Sequence, residues 1–214
     1  MTSPRRLPMF PLGTPLLPGA LLPLHVFELR YRMMLDDVLS SEPHEFGIVM
    51  IERGHEVGGG DVRTSVGTRV RVVRSEETDD GRRGVVVVGV ERLRVVEWLP
   101  DDPYPVAMVE EWPFTDSGVG SPDVEHELHG RVTRFVALLR RLDDRVPSIE
   151  GRSIDEDLAA YVFRVATNLP VGPSDRHAVL SSTATDEAAR RLATAIDDLD
   201  ALVRFRAGVG IDDD

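Results

Sequence analysis

The chain has 214 residues, of which 42% are hydrophobic and 29% are charged, and 37 acids against 25 bases give it a formal charge of −12. This balance is typical of a globular protein and argues against nucleic acids and anionic membrane surfaces as partners. The sequence holds no cysteine and no lysine, which excludes disulfides, thiol nucleophiles, Cys-ligated metals, P-loop ATPases and Ser–Lys proteases.

The first 27 residues resemble an export signal only superficially. Arg5 and Arg6 precede an uncharged stretch, but five prolines interrupt it: Pro8, Pro11, Pro15, Pro18 and Pro23. A signal region must be helical, and prolines prevent this. We therefore predict two short strands, at 7–12 and 21–26, in a cytoplasmic protein. Because proline lacks a ladder donor, both strands are expected at edges or in irregular pairings.

The rest of the first half alternates between one helix and several strands. Apolar spacing predicts a helix over 28–39, and branched residues predict a strand at 46–51. A hairpin is expected over 66–98, turning at Asp80-Gly81, and Gly89 in its second strand indicates a bulge that curls the sheet. A further strand follows at 104–112.

The pattern becomes helical in the second half. Residues 115–122 are rich in turn formers and predict a linker. Apolar steps of three and four predict a helix from Val124 to Leu142, and a capping box at Ser153–Glu156 predicts the start of the next. A short helix is expected from Ser174 and a long one from Thr185. The sequence thus predicts an α+β protein with a curled antiparallel sheet and one short helix in β domain 1–114, a linker at 115–122 and a helical bundle at 123–214.

Candidate catalytic groups are few. His126-Glu127-Leu128-His129 resembles a zincin motif, but Gly130 stands where the second metal-binding histidine would be needed. Gly58-Gly59-Gly60 is not followed by a helical pattern, so a phosphate-binding loop is disfavoured. We predict no catalytic, cofactor-binding or metal-binding residues, and hence no enzyme. The basic row Arg69, Arg71 and Arg74 is expected to pair across strands with Glu91 or other acids.

Apolar residues crowd into the segment between Phe10 and Tyr31. Much of this segment must be core, but a strand broken by prolines leaves backbone groups and apolar side chains near the surface. Such a place can receive an extended peptide by strand addition. The predicted peptide-binding residues are Phe10, Leu16, Leu17, Phe27 and Tyr31.

The order of these residues resembles the opening of the Lon protease N-terminal (substrate-binding) domain family. The resemblance extends over about residues 6–205, and the motifs that carry it are Leu7-Pro8-Met9-Phe10-Pro11-Leu12-Gly13, Leu17-Pro18-Gly19, Leu22-Pro23-Leu24-His25-Val26-Phe27-Glu28-Leu29-Arg30-Tyr31, Phe46-Gly47-Ile48-Val49, Gly89-Val90-Glu91-Arg92-Leu93 and Asn168-Leu169-Pro170. It implies a PUA-like β pseudo-barrel followed by a helical bundle, similar to a standalone member without the ATPase and peptidase domains.

The leading functional hypothesis is a non-catalytic module that binds exposed apolar segments of unfolded or partner proteins, without a cofactor. Two alternatives stay open. One is a small-ligand sensor with a pocket between barrel and bundle, and the other, less favoured, is a metal-dependent hydrolase that uses the histidines. The sequence does not predict an oligomeric state.

Overall fold

The computed structural model describes residues 3–53, 62–77 and 83–208. The chain divides into two compact units, Met1–Pro113 and Phe114–Asp214, and each is described by itself. The predicted turn at Asp80-Gly81 and the triple glycine at 58–60 lie outside the described residues. The architecture is α+β, as predicted, and its sheet is mixed instead of purely antiparallel.

The described part of the first unit folds into strands around one helix. Its elements in chain order are β1 (Arg5–Leu12), β2 (Leu21–Val26), α1 (Leu29–Leu39), β3 (Glu45–Arg53), β4 (Val62–Glu77), β5 (Arg83–Trp98) and β6 (Val106–Glu111). The sheet order is β2-β5-β4-β3-β1-β6, and β5 also pairs with β6. Five strands therefore close into a barrel, and β2 lies outside it, beside the first half of β5.

Strand β1 does not lie at an edge, but its prolines accompany the irregular pairing that was the other expectation. β1 lies between two neighbours, pairing parallel with β3 through Met9–Leu12 and antiparallel with β6 through Arg5–Pro8. The N–H of Met9 donates to the Pro105 carbonyl on the β6 side. Because backbone directions alternate along a strand, the N–H that Pro8 lacks would point toward β3, and the one that Pro11 lacks would point toward β6. Pro8 precedes the ladder with β3, and Pro11 follows the ladder with β6. The missing donors thus fall where β1 has no ladder partner among the described residues.

Gly89 marks the point where β5 changes partners. The β4–β5 register shifts between Arg69↔Glu91 and Val70↔Gly89, as the predicted bulge requires. A Cβ on Gly89 would lie 2.4 Å from the Leu17 carbonyl oxygen. The glycine therefore allows the segment before β2 to pack directly on β5, where the Gly89 N–H donates to the Ala20 carbonyl.

The two faces of the sheet bury separate apolar clusters. One face contributes a small cluster of inward-pointing barrel residues: Leu7, Met9, Val49, Leu93, Ala107 and Val109. The other packs against one side of α1, where Tyr31, Met34, Leu35 and Val38 are buried. Hydrogen bonds and ion pairs hold α1 in place, with the Tyr104 hydroxyl 2.6 Å from Asp37 Oδ2 and Arg83 2.9 Å from Asp36.

The second unit is helical throughout its regular structure. Its described helices are α2 (Pro122–Leu142), α3 (Leu158–Asn168), α4 (Pro173–Leu180) and α5 (Thr185–Ala207). The predicted apolar stripe of α2 is buried from Val124 to Phe135, but Leu142 is exposed. Arg131 on α2 forms an ion pair of 3.0 Å with Asp197 on α5.

One detail of this unit differs from expectation. Helix α3 begins after the predicted capping box, because Asp157 accepts the cap hydrogen bond from the Ala160 N–H, while Glu156 pairs with Arg164 at 2.8 Å. The segment predicted as a linker is held to the start of α5. Asp116 accepts from the Thr185 N–H at 2.8 Å, and Asp186 accepts from the Ser121 N–H at 2.7 Å.

Candidate peptide-binding surface

The structure separates the five residues predicted to bind peptide. Leu16, Leu17 and Tyr31 are buried, with 7%, 2% and 3% exposure. Phe10 is half-buried and stacks on Tyr31 with ring centroids 4.3 Å apart. Phe27 alone among the five is well exposed, at 59%. In this conformation Leu16, Leu17 and Tyr31 pack in the interior and offer little surface to a peptide.

Leu16 and Leu17 are buried because the backbone around them is hydrogen-bonded, which the proline pattern did not predict. A segment broken by prolines was expected to leave unpaired polar groups near the surface. Instead, the Leu16 carbonyl accepts from the Thr68 hydroxyl, and Gly89 pairs with Gly19 and Ala20. Since the backbone is satisfied by these partners, the leucines can enter the core.

Sequence reasoning missed other exposed apolar residues on β2 and α1, near Phe27 in the chain. Leu21 is 64% exposed, Leu29 is 68% exposed and Met33 is 42% exposed. Leu29 and Met33 are four residues apart on the helix face opposite the buried Tyr31 and Leu35. Apolar residues on both faces of a short helix were the signal that could have revealed them. We call Leu21, Phe27, Leu29 and Met33 the β2–α1 surface.

Strand β2 adds an open backbone edge to this surface. Within the described ranges β2 pairs only with β5. Its exposure alternates, with Leu21, Pro23 and His25 outward and Leu22, Leu24 and Val26 toward the core. An edge strand presents backbone donors and acceptors on its free side. The surface therefore combines apolar side chains with hydrogen-bonding backbone, the two features that an extended apolar segment needs.

A cavity of the first unit, which we call the barrel mouth, is charged. It has a volume of about 200 Å³ and is lined by Ser3, Arg5, Arg69, Glu91, Leu93, Val109, Glu110 and Glu111. Glu45, whose side chain is 3% exposed, lies 2.6 Å from Arg69 and 2.8 Å from Arg71. Arg69 also pairs with Glu91 at 2.7 Å. These contacts confirm the cross-strand pairing predicted for Arg69 and Arg71, whereas Arg74 pairs with Glu76 on its own strand.

The charged groups of this network shift one another's pKa values. Burial of Glu45 acts to raise its pKa, but hydrogen bonds and charges from Arg69 and Arg71 outweigh this and hold the pKa below its ordinary value. Burial acts to lower the pKa of Arg69, and its pairs with Glu45 and Glu91 raise it. Each charge stabilises its neighbours, so Glu45, Glu91, Arg69 and Arg71 form one network of ion pairs.

The histidine motif of α2 has a structural partner. His129 Nδ1 lies 3.0 Å from the hydroxyl of Tyr161, which is buried. Burial raises the pKa of Tyr161 to about 12, so its hydroxyl stays protonated near neutral pH. In the parts of the chain that the structure describes, no three His, Asp or Glu residues are grouped to hold a metal ion. The same parts contain no helix long and apolar enough to cross a membrane.

Comparison with known proteins points to one family. Residues 6–198 match the family model described as the ATP-dependent protease La (LON) substrate-binding domain. The chain is 31% identical over 187 residues to Lon protease 2 of Myxococcus xanthus, covering 84% of this chain and 22% of that protein. It is 25% identical over 194 residues to Lon protease 2 of Herpetosiphon aurantiacus, covering 89% and 23%. The chain thus spans less than a quarter of the length of these relatives.

Solved structures share the fold over nearly their whole length. A Lon N-terminal domain protein from Xanthomonas campestris has a TM-score of 0.64 at 27% identity, covering 89% of this chain and 98% of that one. The N-terminal domain of the Mycobacterium avium complex Lon protease has a TM-score of 0.65 at 17% identity, covering 91% and 99%.

Proposed function

Since the chain belongs to the Lon substrate-binding domain family, we propose that it is a non-catalytic module that binds exposed apolar segments of unfolded or partner proteins. The β2–α1 surface is the binding site. The observation that carries the proposal is the exposure of Leu21 on the edge strand β2, and of Phe27 and Leu29, which follow β2 in the chain. A cytoplasmic location and the lack of nucleic-acid binding remain predictions from the sequence.

The chemistry of the surface suits such a partner. Burying an apolar side chain contributes about 1.5 to 3 kcal/mol, so several together can hold a short segment. Leu29 and Met33 lie on a well-anchored element, because the other face of α1 is fixed by its buried side chains and by the Tyr104–Asp37 hydrogen bond. A prearranged surface loses less entropy when it binds.

Binding to a permanently unfolded protein tests the proposal. The probe is fluorescein-labelled, reduced and carboxymethylated α-lactalbumin, followed by anisotropy. The triple variant Phe27→Ser, Leu29→Ser, Met33→Ser should bind at least about tenfold more weakly, because three exposed apolar anchors are lost. Leu16 and Leu17 are unsuitable for this test since both are buried.

The second unit offers a matched control. Leu142, Ile154 and Phe205 are also exposed, at 53%, 96% and 86%, and their triple replacement by serine should change the affinity by less than about twofold. Unchanged thermal unfolding of both variants shows that they remain folded. Equal binding by the Phe27–Leu29–Met33 variant and the wild type, or a larger loss in the control, would refute the assignment.

A further inference from the structure

We propose that the bound segment joins the sheet as an added strand along the free edge of β2, and that Pro23 limits how many hydrogen bonds it forms. The inference rests on the proposed function and specifies the occupant. That occupant is a fully extended stretch of about five residues, with apolar side chains at alternate positions. A helical segment does not fit, because its backbone groups are already paired internally.

The register of β2 on β5 fixes which backbone groups face outward. The Gly89 N–H donates to the Ala20 carbonyl, so Ala20 points toward β5. Directions alternate along a strand, and β2 is in continuous register from Leu21↔Val88 to Val26↔Arg83. Leu22, Leu24 and Val26 therefore bond to β5, while Leu21, Pro23 and His25 direct their backbone groups to the free edge.

Pro23 removes the central donor of this edge. The edge offers carbonyl acceptors at Leu21, Pro23 and His25, but N–H donors only at Leu21 and His25, and within the described residues neither N–H has a backbone partner. A proline on an exposed edge is a known protection against uncontrolled strand pairing. Here it leaves the edge usable but weakened, as suits reversible binding.

The side chains on the outward face define the occupant further. Residues paired across strands share a face, so Leu21 and Pro23 lie beside Val88 and Val86 on β5. Incoming residues opposite Leu21 and Pro23 extend this apolar strip. Every second residue of the segment is therefore apolar, and the residues between them point to the face of the sheet on which α1 packs.

Amide hydrogen exchange measured by NMR tests the register directly. The probe is a capped nine-residue peptide of alternating valine and threonine. The N–H groups of Leu21 and His25 should exchange rapidly in the free protein and at least about tenfold more slowly in the complex, because they become hydrogen-bonded. Those of Leu22 and Leu24 should be slow in both states. Binding without protection of Leu21 and His25 would overturn strand addition.

Restoring the missing donor provides a test that misfolding cannot imitate. Pro23→Ala should bind the same peptide, labelled with fluorescein, about two- to tenfold more tightly, because one net hydrogen bond is gained. The control Pro147→Ala changes an exposed loop proline in the second unit and should leave the affinity unchanged. Unchanged or weaker binding by Pro23→Ala would count against the inference.

The proposed function and the strand-addition mode can fail separately. If neither the unfolded protein nor the peptide binds, the proposed function itself is wrong. If both bind and depend on Phe27 and Leu29, but exchange at Leu21 and His25 is unaffected, the function stands and only the strand-addition mode is wrong.

Discussion

The barrel mouth and the β2–α1 surface both meet solvent with polar groups, but they differ in whether those groups already have partners. At the mouth, Glu45 neutralises Arg69 and Arg71, and Glu91 completes the set. Along β2, the outward backbone groups and the exposed side chain of Leu21 have no such complement within the described residues. Saturated polar groups contribute to stability, whereas unsatisfied ones are available for binding.

This contrast predicts which substitutions change folding and which change binding. Stability can be measured for the first unit separately, because both tryptophans of the chain, Trp98 and Trp112, lie in it. Their fluorescence during urea unfolding therefore reports the first unit alone.

The largest effect on stability is expected at Leu17. Leu17→Ala removes a side chain that is 2% exposed and should lower the free energy of unfolding by about 3 kcal/mol, because a cavity is left in the core. Leu29→Ala, at the exposed surface, should change it by less than about 0.5 kcal/mol while weakening peptide binding. Equal losses of stability in the two variants would remove the distinction between core and surface.

The next largest effect on stability is expected at the barrel mouth. Glu45→Gln should lower the free energy of unfolding by about 2 to 3 kcal/mol, because Arg69 keeps a largely buried charge without its main counterion. Peptide affinity should be unchanged. The control is Glu76→Gln, which breaks an exposed pair with Arg74 and should cost less than about 0.5 kcal/mol. Weaker peptide binding by a folded Glu45→Gln variant would show that the mouth takes part in recognition.

Gly89→Ala tests how the segment before β2 is attached. The new Cβ would meet the Leu17 carbonyl oxygen, so we expect a loss of about 2 kcal/mol together with weaker peptide binding, since β2 follows this segment. Gly84→Ala is the matched control, because its new Cβ would have the Glu76 carbonyl oxygen as its nearest neighbour, at 3.9 Å. A stable Gly89→Ala variant would show that the close approach is dispensable.

The smallest effect concerns pH. The folded-state pKa of Glu45 is lowered from 4.5, so its contribution is complete above that value and is lost as the pH falls through the folded-state pKa. Between about pH 5 and pH 3, the first unit of the wild type should lose stability more steeply than that of Glu45→Gln. Parallel pH profiles would contradict this role of Glu45.

The sequence predicted the strands and helices well where local signals mark them. The expected strands at 7–12 and 21–26 agree with β1 and β2 to within two residues, because apolar runs are bounded there by proline and glycine. The parallel pairing of β1 with β3 could not be foreseen, since it joins segments far apart in the chain with no turn between them. Only the fold shows that β2 lies outside the closed barrel.

The site was predicted in region but not in its residues. Apolar crowding between Phe10 and Tyr31 pointed to this part of the chain, and Phe27 is indeed exposed there. Leu16 and Leu17 proved buried because Thr68 and Gly89, both distant in sequence, satisfy the surrounding backbone. Periodicity cannot tell which face of α1 meets the core when both faces are apolar, so Leu29 and Met33 were missed.

The length of β5 has a mechanical consequence. Its first half pairs with β2 and its second half with β6, while β4 runs beside most of it. A force applied along a segment added to β2 would act parallel to the β2–β5 ladder. The hydrogen bonds of that ladder would then bear the force simultaneously instead of breaking one after another. Since β5 continues into the closed barrel, the force would be distributed over several strands, and the added segment would dissociate before β2 separated from β5.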